Sequence, residues 1–196
     1  MKNSLILLKS ENMKNVIIFL LFLNPFVDFS QNLFTKEEFL LASDNGRRWH
    51  KDIKIYLYGN YTKKDSLDVV ENISIFKPLI KPINISLVKN KESSNVIIYF
   101  LSDDDFGNIF PNKKNTIKDC IGITSTYGVY KITESVIQID VINNKRLNSF
   151  SNTIRHEMFH MLGFAHYREE KNSILDMDDF LTEKDIEMIK YLYSKK

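Results

Sequence analysis

Eleven residues near the C-terminus carry the chemistry of this chain: His156-Glu157-Met158-Phe159-His160-Met161-Leu162-Gly163-Phe164-Ala165-His166. Three of the four histidines fall in this one stretch. On an α-helix, residues i and i+4 share a face, one turn apart. His156 and His160 can therefore aim two imidazoles at one metal ion. Glu157 leaves the helix beside that metal rather than onto it, where a general base for a metal-activated water belongs. Gly163 can take the left-handed conformation at little cost, so it can end the helix and turn the chain. His166 can then return as a third ligand. Three protein ligands with a fourth position left for water describe a catalytic zinc site rather than a structural one. The expected roles are thus His156, His160 and His166 as zinc ligands and Glu157 as the proton shuttle.

Chance does not explain the five fixed residues, which a random chain of this length would show with a probability on the order of 10⁻⁵. A buried polar histidine pair would leave Glu157, Gly163 and His166 unexplained together. Two other readings stay open. One is a catalytically inactive zinc domain that binds a peptide or protein. The other is a zinc hydrolase of a non-peptide bond, since the motif fixes the metal and the base but not the scissile group.

The positioning elements can be read upstream and downstream of the motif. Residues 31–48 read as a polar, helical lead. Lys54–Tyr58 reads as a strand, and residues 65–77 as a helix capped by Asp65 or Ser66, with Leu67, Val70 and Ile73 on its buried face and Pro78 ending it. Ile83–Val88 is a second strand. Asn95–Leu101 is a near-continuous apolar run, expected to be a strand buried on both faces. Ile117–Thr126 and Ser135–Val141 read as two more strands, one of them at the sheet edge. Asn143–Ser151 reads as a loop, and Ser151 or Asn152 as the cap of the zinc helix. Thr182 and Asp185 form a capping box for a last helix over 183–193, which buries Ile186, Ile189 and Leu192 or Tyr193. The fold class is α+β: a mixed twisted sheet of about five strands, an active-site helix beneath it, and a C-terminal helix.

The chain from about Trp49 to Tyr193 resembles the metzincin metallopeptidases, most closely small matrixin-like catalytic domains. His156, Glu157, His160, Gly163 and His166 carry the resemblance, with Ser173-Ile174-Leu175-Asp176-Met177 after a short gap. It implies a zincin fold, one zinc ion on the three histidines, Glu157 as general base, and a methionine turn beneath the site. It also implies a peptide substrate lying extended along the edge strand, near Gly122–Tyr130. The turn departs from the family's Ser-Ile-Met-x-Tyr. Either Leu175 replaces the methionine or Met177 fills its role, and no tyrosine stands at Met177. Tyr167 matches no subfamily signature. Residues 31–48 hold no cysteine that could plug the zinc, so control by a cysteine switch is not expected.

At 196 residues, 43% hydrophobic and 27% charged, the chain suits one ordinary domain. A formal net charge of +2, with no long run of like charges, excludes nucleic acid as an expected partner. A protein or peptide substrate and a monomer are expected instead. Lys14, the apolar run Val16–Leu23, Asn24-Pro25 and Ser30 before Gln31 follow the order of a secretory signal, with Met13 as a second possible start. The run is too short for a membrane span, so stable membrane insertion is not expected. A buried N-terminal helix is the competing reading of residues 1–30. The expected division is a signal over 1–30, a lead over 31–48 and a catalytic domain over 49–196, in a secreted or periplasmic protein. Removing 1–30 takes away three lysines against one glutamate and one aspartate, which lowers the net charge to +1. The single cysteine, Cys120, allows no intrachain disulfide and is expected half-buried in a strand. Asp103, Asp104 and Asp105 offer oxygen donors suited to calcium, although a solvated loop is the favoured reading. The resemblance places Asp178 and Asp179 at a wall of the specificity pocket, where they would favour a basic or polar residue just after the cut bond.

Overall fold

Alternation of buried and exposed side chains sets the sheet. The computed structural model describes residues 33–102, 104–106, 120–147, 150–166, 173–174 and 180–194. Strand β1 (Ile53–Gly59) turns Ile53, Ile55 and Leu57 inward. Strand β3 (Val96–Leu101) does the same with Val96, Ile98 and Phe100, while Ile97, Tyr99 and Leu101 stay half-buried. The apolar run at 95–101 is therefore not buried on both faces as expected, because only one face meets the full core. With β2 (Ile85–Leu87), β4 (Gly122–Tyr127) and β5 (Glu134–Asp140), these strands form one mixed sheet in the order β2-β1-β3-β5-β4. All neighbours are parallel except β4, which runs antiparallel to β5 and ends the sheet. Thr124 lies opposite Ile137 and Gly122 opposite Ile139.

Five helices accompany the sheet in the compact unit Phe34–Lys196. Helix α1 (Lys36–Ala42) opens with a Thr35/Glu38 capping box and contributes Phe39 and Ala42 to the core. The expected lead thus packs into the same core as the rest. Helix α2 (Lys63–Phe76) begins two residues earlier than expected. Thr62 is its cap, and Asp65 returns a bond to the Thr62 N–H at 2.8 Å. Its buried face is Val69, Asn72, Ile73 and Phe76, whereas Leu67 is 57% and Val70 45% exposed. Of the three residues expected on the buried face, Ile73 is buried and Leu67 and Val70 are not. The helix packs through Asn72, whose side-chain oxygen accepts from Arg155 Nε at 2.9 Å.

Residues 143–147 are not a loop. They belong to helix α3 (Val141–Leu147), which Asp140 caps by accepting from the Ile142 and Asn143 N–H groups, each at 3.0 Å. The cap is hidden in sequence because Asp140 is also the last residue of β5. The zinc-motif helix, α4 (Phe150–Met161), includes Ser151 and Asn152 rather than starting after them. Phe150 is held at its start by stacking on Phe100, with ring centroids 5.8 Å apart. Helix α5 (Glu183–Ser194) keeps the expected capping box, and it buries Met188, Ile189, Leu192 and Tyr193, with Ile186 only half-buried. No helix among the described residues is long and apolar enough to cross a membrane. Residues 1–30 lie outside the described residues.

Candidate metal centre

Helix α4 places His156 and His160 one turn apart, and their Nε2 atoms lie 3.1 Å from each other. Each ring is oriented by a main-chain carbonyl. His156 Nδ1 is 3.0 Å from the Ile174 oxygen, and His160 Nδ1 is 2.7 Å from the Phe164 oxygen. A carbonyl can only accept, so Nδ1 is the donor in both rings, and in a neutral imidazole Nε2 then keeps the lone pair that a metal would take. Burial, followed by the neighbouring His156 charge, pushes the pKa of His160 down to about 3. It is a neutral imidazole, the form a metal requires.

His166 completes the cluster from the turn after the helix. Its ring centroid is 5.2 Å from that of His156 and 4.8 Å from that of His160. One ligand atom from each histidine lies within 4.8 Å of the others. Two nitrogens on a tetrahedral zinc would be roughly 3.3 Å apart. The His156–His160 separation is close to that, and the donor set is chemically suited to zinc. Among the described residues, this is the one group of three such side chains.

The reversal that brings His166 back is fixed from outside the motif. The carbonyls left open at the end of α4 all find donors. Gly163 N–H bonds the His160 oxygen at 2.9 Å, Trp49 Nε1 bonds that of Met161 at 2.8 Å, and the Tyr193 hydroxyl bonds that of Leu162 at 2.9 Å. Gly163 has φ 107°, and a side chain there would collide with the Arg47 carbonyl oxygen. The next link is Ala165 N–H, which donates to the Ala42 carbonyl at 2.7 Å. The end of α1 thus holds the residue immediately before His166.

His156 is anchored from the other side. Asp185, fully buried, accepts from Ser173 Oγ at 2.6 Å, Ile174 N–H at 2.8 Å, and Thr182 N–H and Oγ1, each at 2.9 Å. One carboxylate therefore caps α5 and fixes the peptide whose carbonyl orients His156.

Glu157 follows His156 in the helix, lies outside the group of three possible ligands, and is only 5% exposed. The Thr124 hydroxyl lies 2.7 Å from its Oε2. Burial raises its pKa to about 7, and the Thr124 bond offsets part of that rise.

Of the four residues picked from sequence, His156, His160 and His166 are brought together, and Glu157 is buried against β4. Ser173 and Ile174 join them. Leu175, Asp176, Met177, Asp178, Asp179, Tyr167 and Asp103 lie outside the described residues. Asp104 and Asp105 sit in an exposed turn after β3, and Asp105 accepts from Ser102 Oγ at 2.9 Å. Cys120 is exposed and precedes β4, a correction to its expected half-buried strand position. Thr124, Ala42, Trp49 and Tyr193 carry no sequence signal for their roles, since each acts across a long sequence separation.

A family model described as "Protein of unknown function (DUF2927)" matches residues 28–196. No curated protein matches the chain.

Proposed function

We propose that this chain, which belongs to the DUF2927 family, is an exported zinc-dependent endopeptidase of metzincin type. The observation that supports this best is the convergence of three imidazoles from one helix and its following turn, with a buried carboxylate on the residue next to His156 and outside that group. His156, His160 and His166 would hold the metal. When bound, zinc supplies a Lewis acid that polarises the scissile carbonyl and lowers the pKa of a water from about 15.7 toward roughly 7. Glu157 accepts a proton at its carboxylate from the attacking water and returns it to the leaving amine. Ile174 and Phe164 keep the two helix histidines turned so that Nε2 faces inward.

The position of β4 favours a peptide over a compact substrate. It is the last strand of the sheet order among the described residues, and an extended chain could pair with its outer edge through main-chain bonds. Export rests on the signal-like order of residues 14–31.

One observation favours a second reading, a zinc domain that binds without cleaving: Glu157 is nearly inaccessible beneath β4. Hydrolysis of quenched casein, with zinc content measured on the same samples, separates the two. The expected result is about one zinc per chain and chelator-sensitive cleavage that falls about 10²–10⁴-fold in Glu157→Gln with zinc retained. Bound zinc without cleavage in either protein would favour the binding domain. No zinc would overturn both readings.

A further inference from the structure

Strand β4 meets Glu157 at two alternate positions on one face. At Gly122 there is no room for a side chain: a Cβ would lie 2.7 Å from Glu157 Oε1 and 2.8 Å from its Cγ. Two residues on, Thr124 places Oγ1 2.7 Å from Glu157 Oε2 and 3.0 Å from the main-chain oxygen of Glu157 itself. Residues two apart in a strand share a face, so a single feature of β4, small at 122 and hydroxylated at 124, bears on a single carboxylate. Pairing with Ile139 and Ile137 of β5 fixes both positions.

Building on the peptidase reading, we infer that Thr124 is a positioning residue for Glu157, holding the carboxyl in place both with and without the shuttled proton. When Glu157 is a carboxylate, Thr124 donates to Oε2 in a charge-assisted bond. When Glu157 carries the proton taken from water, that proton sits on Oε1, and Oε2 remains a carbonyl oxygen that still accepts from Thr124 Oγ1. The Glu157 main-chain oxygen, 3.0 Å from the same hydroxyl, shares it in both cases. No heavy atom moves between the two arrangements. Thr124 ends each cycle as it began, since the proton passes from water through Glu157 to the amine. A fixed carboxyl matters because small misplacements of a reacting group cost about 10²-fold in rate. Valine at this position would keep the shape and lose both bonds, and serine would keep both.

The test compares Thr124→Val and Thr124→Ser in the full protein, with kcat and KM measured separately on a peptide substrate and zinc content on the same samples. The expected result for valine is a kcat lower by about 10–100-fold, the worth of one charge-assisted bond. Its KM should stay within about threefold of wild type, and its zinc should be retained. Serine should recover most of kcat. If valine does not fold, Thr124→Ala serves as the hydroxyl-free variant. A second readout is the Glu157 carboxyl infrared band, identified by subtracting the Glu157→Gln spectrum, which should move in valine and not in serine. Wild-type kcat in valine, equal losses in valine and serine, or an unmoved band would each overturn the inference while leaving the peptidase reading intact. Absence of chelator-sensitive cleavage in the wild type would overturn the peptidase reading and this inference with it.

Discussion

Replacing Asp185 by alanine should weaken both the fold and the metal site, although Asp185 touches no metal ligand. Four donors converge on its two oxygens: three on Oδ2 and Ser173 Oγ on Oδ1. Without them, the Ile174 N–H is left in a residue 1% exposed, which costs about 1–3 kcal/mol. Loss of the α5 capping box adds about 1 kcal/mol. Loss of the bond from Ser173 Oγ adds about another 1 kcal/mol. The sum, about 3–5 kcal/mol, is a large share of the roughly 5–15 kcal/mol that holds a domain together. With a urea slope of about 2 kcal/mol/M, the midpoint should fall by about 1.5–2.5 M. The Ile174 carbonyl then loses its anchor and His156 its orientation, so zinc affinity should drop about 10–100-fold. Asp185→Asn is the informative control. Its amide oxygen can keep the three Oδ2 donors, and its NH₂ can donate to Ser173, whose hydroxyl turns to accept. Less than half the loss is expected there. Urea unfolding and a competitive zinc titration at a temperature where all three proteins are folded decide the matter. An Asp185→Ala protein that binds zinc as tightly as wild type would refute the link from α5 to His156.

Two further outcomes are expected. Gly163→Ala should lose about 2–5 kcal/mol, from strain at φ 107° and the collision with the Arg47 carbonyl, and an unchanged thermal midpoint would refute the reversal that delivers His166. Chelation should lower the thermal midpoint by about 5–10 °C when zinc is otherwise present at about 100 times its dissociation constant; the shift should persist in Glu157→Gln and vanish in His160→Ala, and a shift that survives in the latter would place the metal elsewhere.

The sequence by itself determined what local spacing determines. His156 and His160 share a face because a helix repeats every 3.6 residues, and Gly163 ends that helix because few other residues accept its backbone angle. The Thr182/Asp185 box was legible for the same reason: its partners are three residues apart. The five strands followed from short apolar runs bounded by turn residues, with errors of a few residues at their ends and with the second face of β3 misjudged. Helix α3 escaped because its cap, Asp140, doubles as a strand residue, and α2 kept Ile73 of its expected face but buries Val69, Asn72 and Phe76 beside it, with Asn72 bonded to Arg155 of α4.

Tertiary structure alone decided what holds the candidate centre in place. Thr124 meets Glu157 across 33 residues, Trp49 meets Met161 across 112, and Asp185 turns out to anchor Ile174, which in turn orients His156. Ala42, in a segment that read as a polar lead, fixes the turn before His166. These contacts follow no period. Each satisfies a polar group that folding would otherwise leave buried and unpaired, and which partner does so depends on where the whole chain packs.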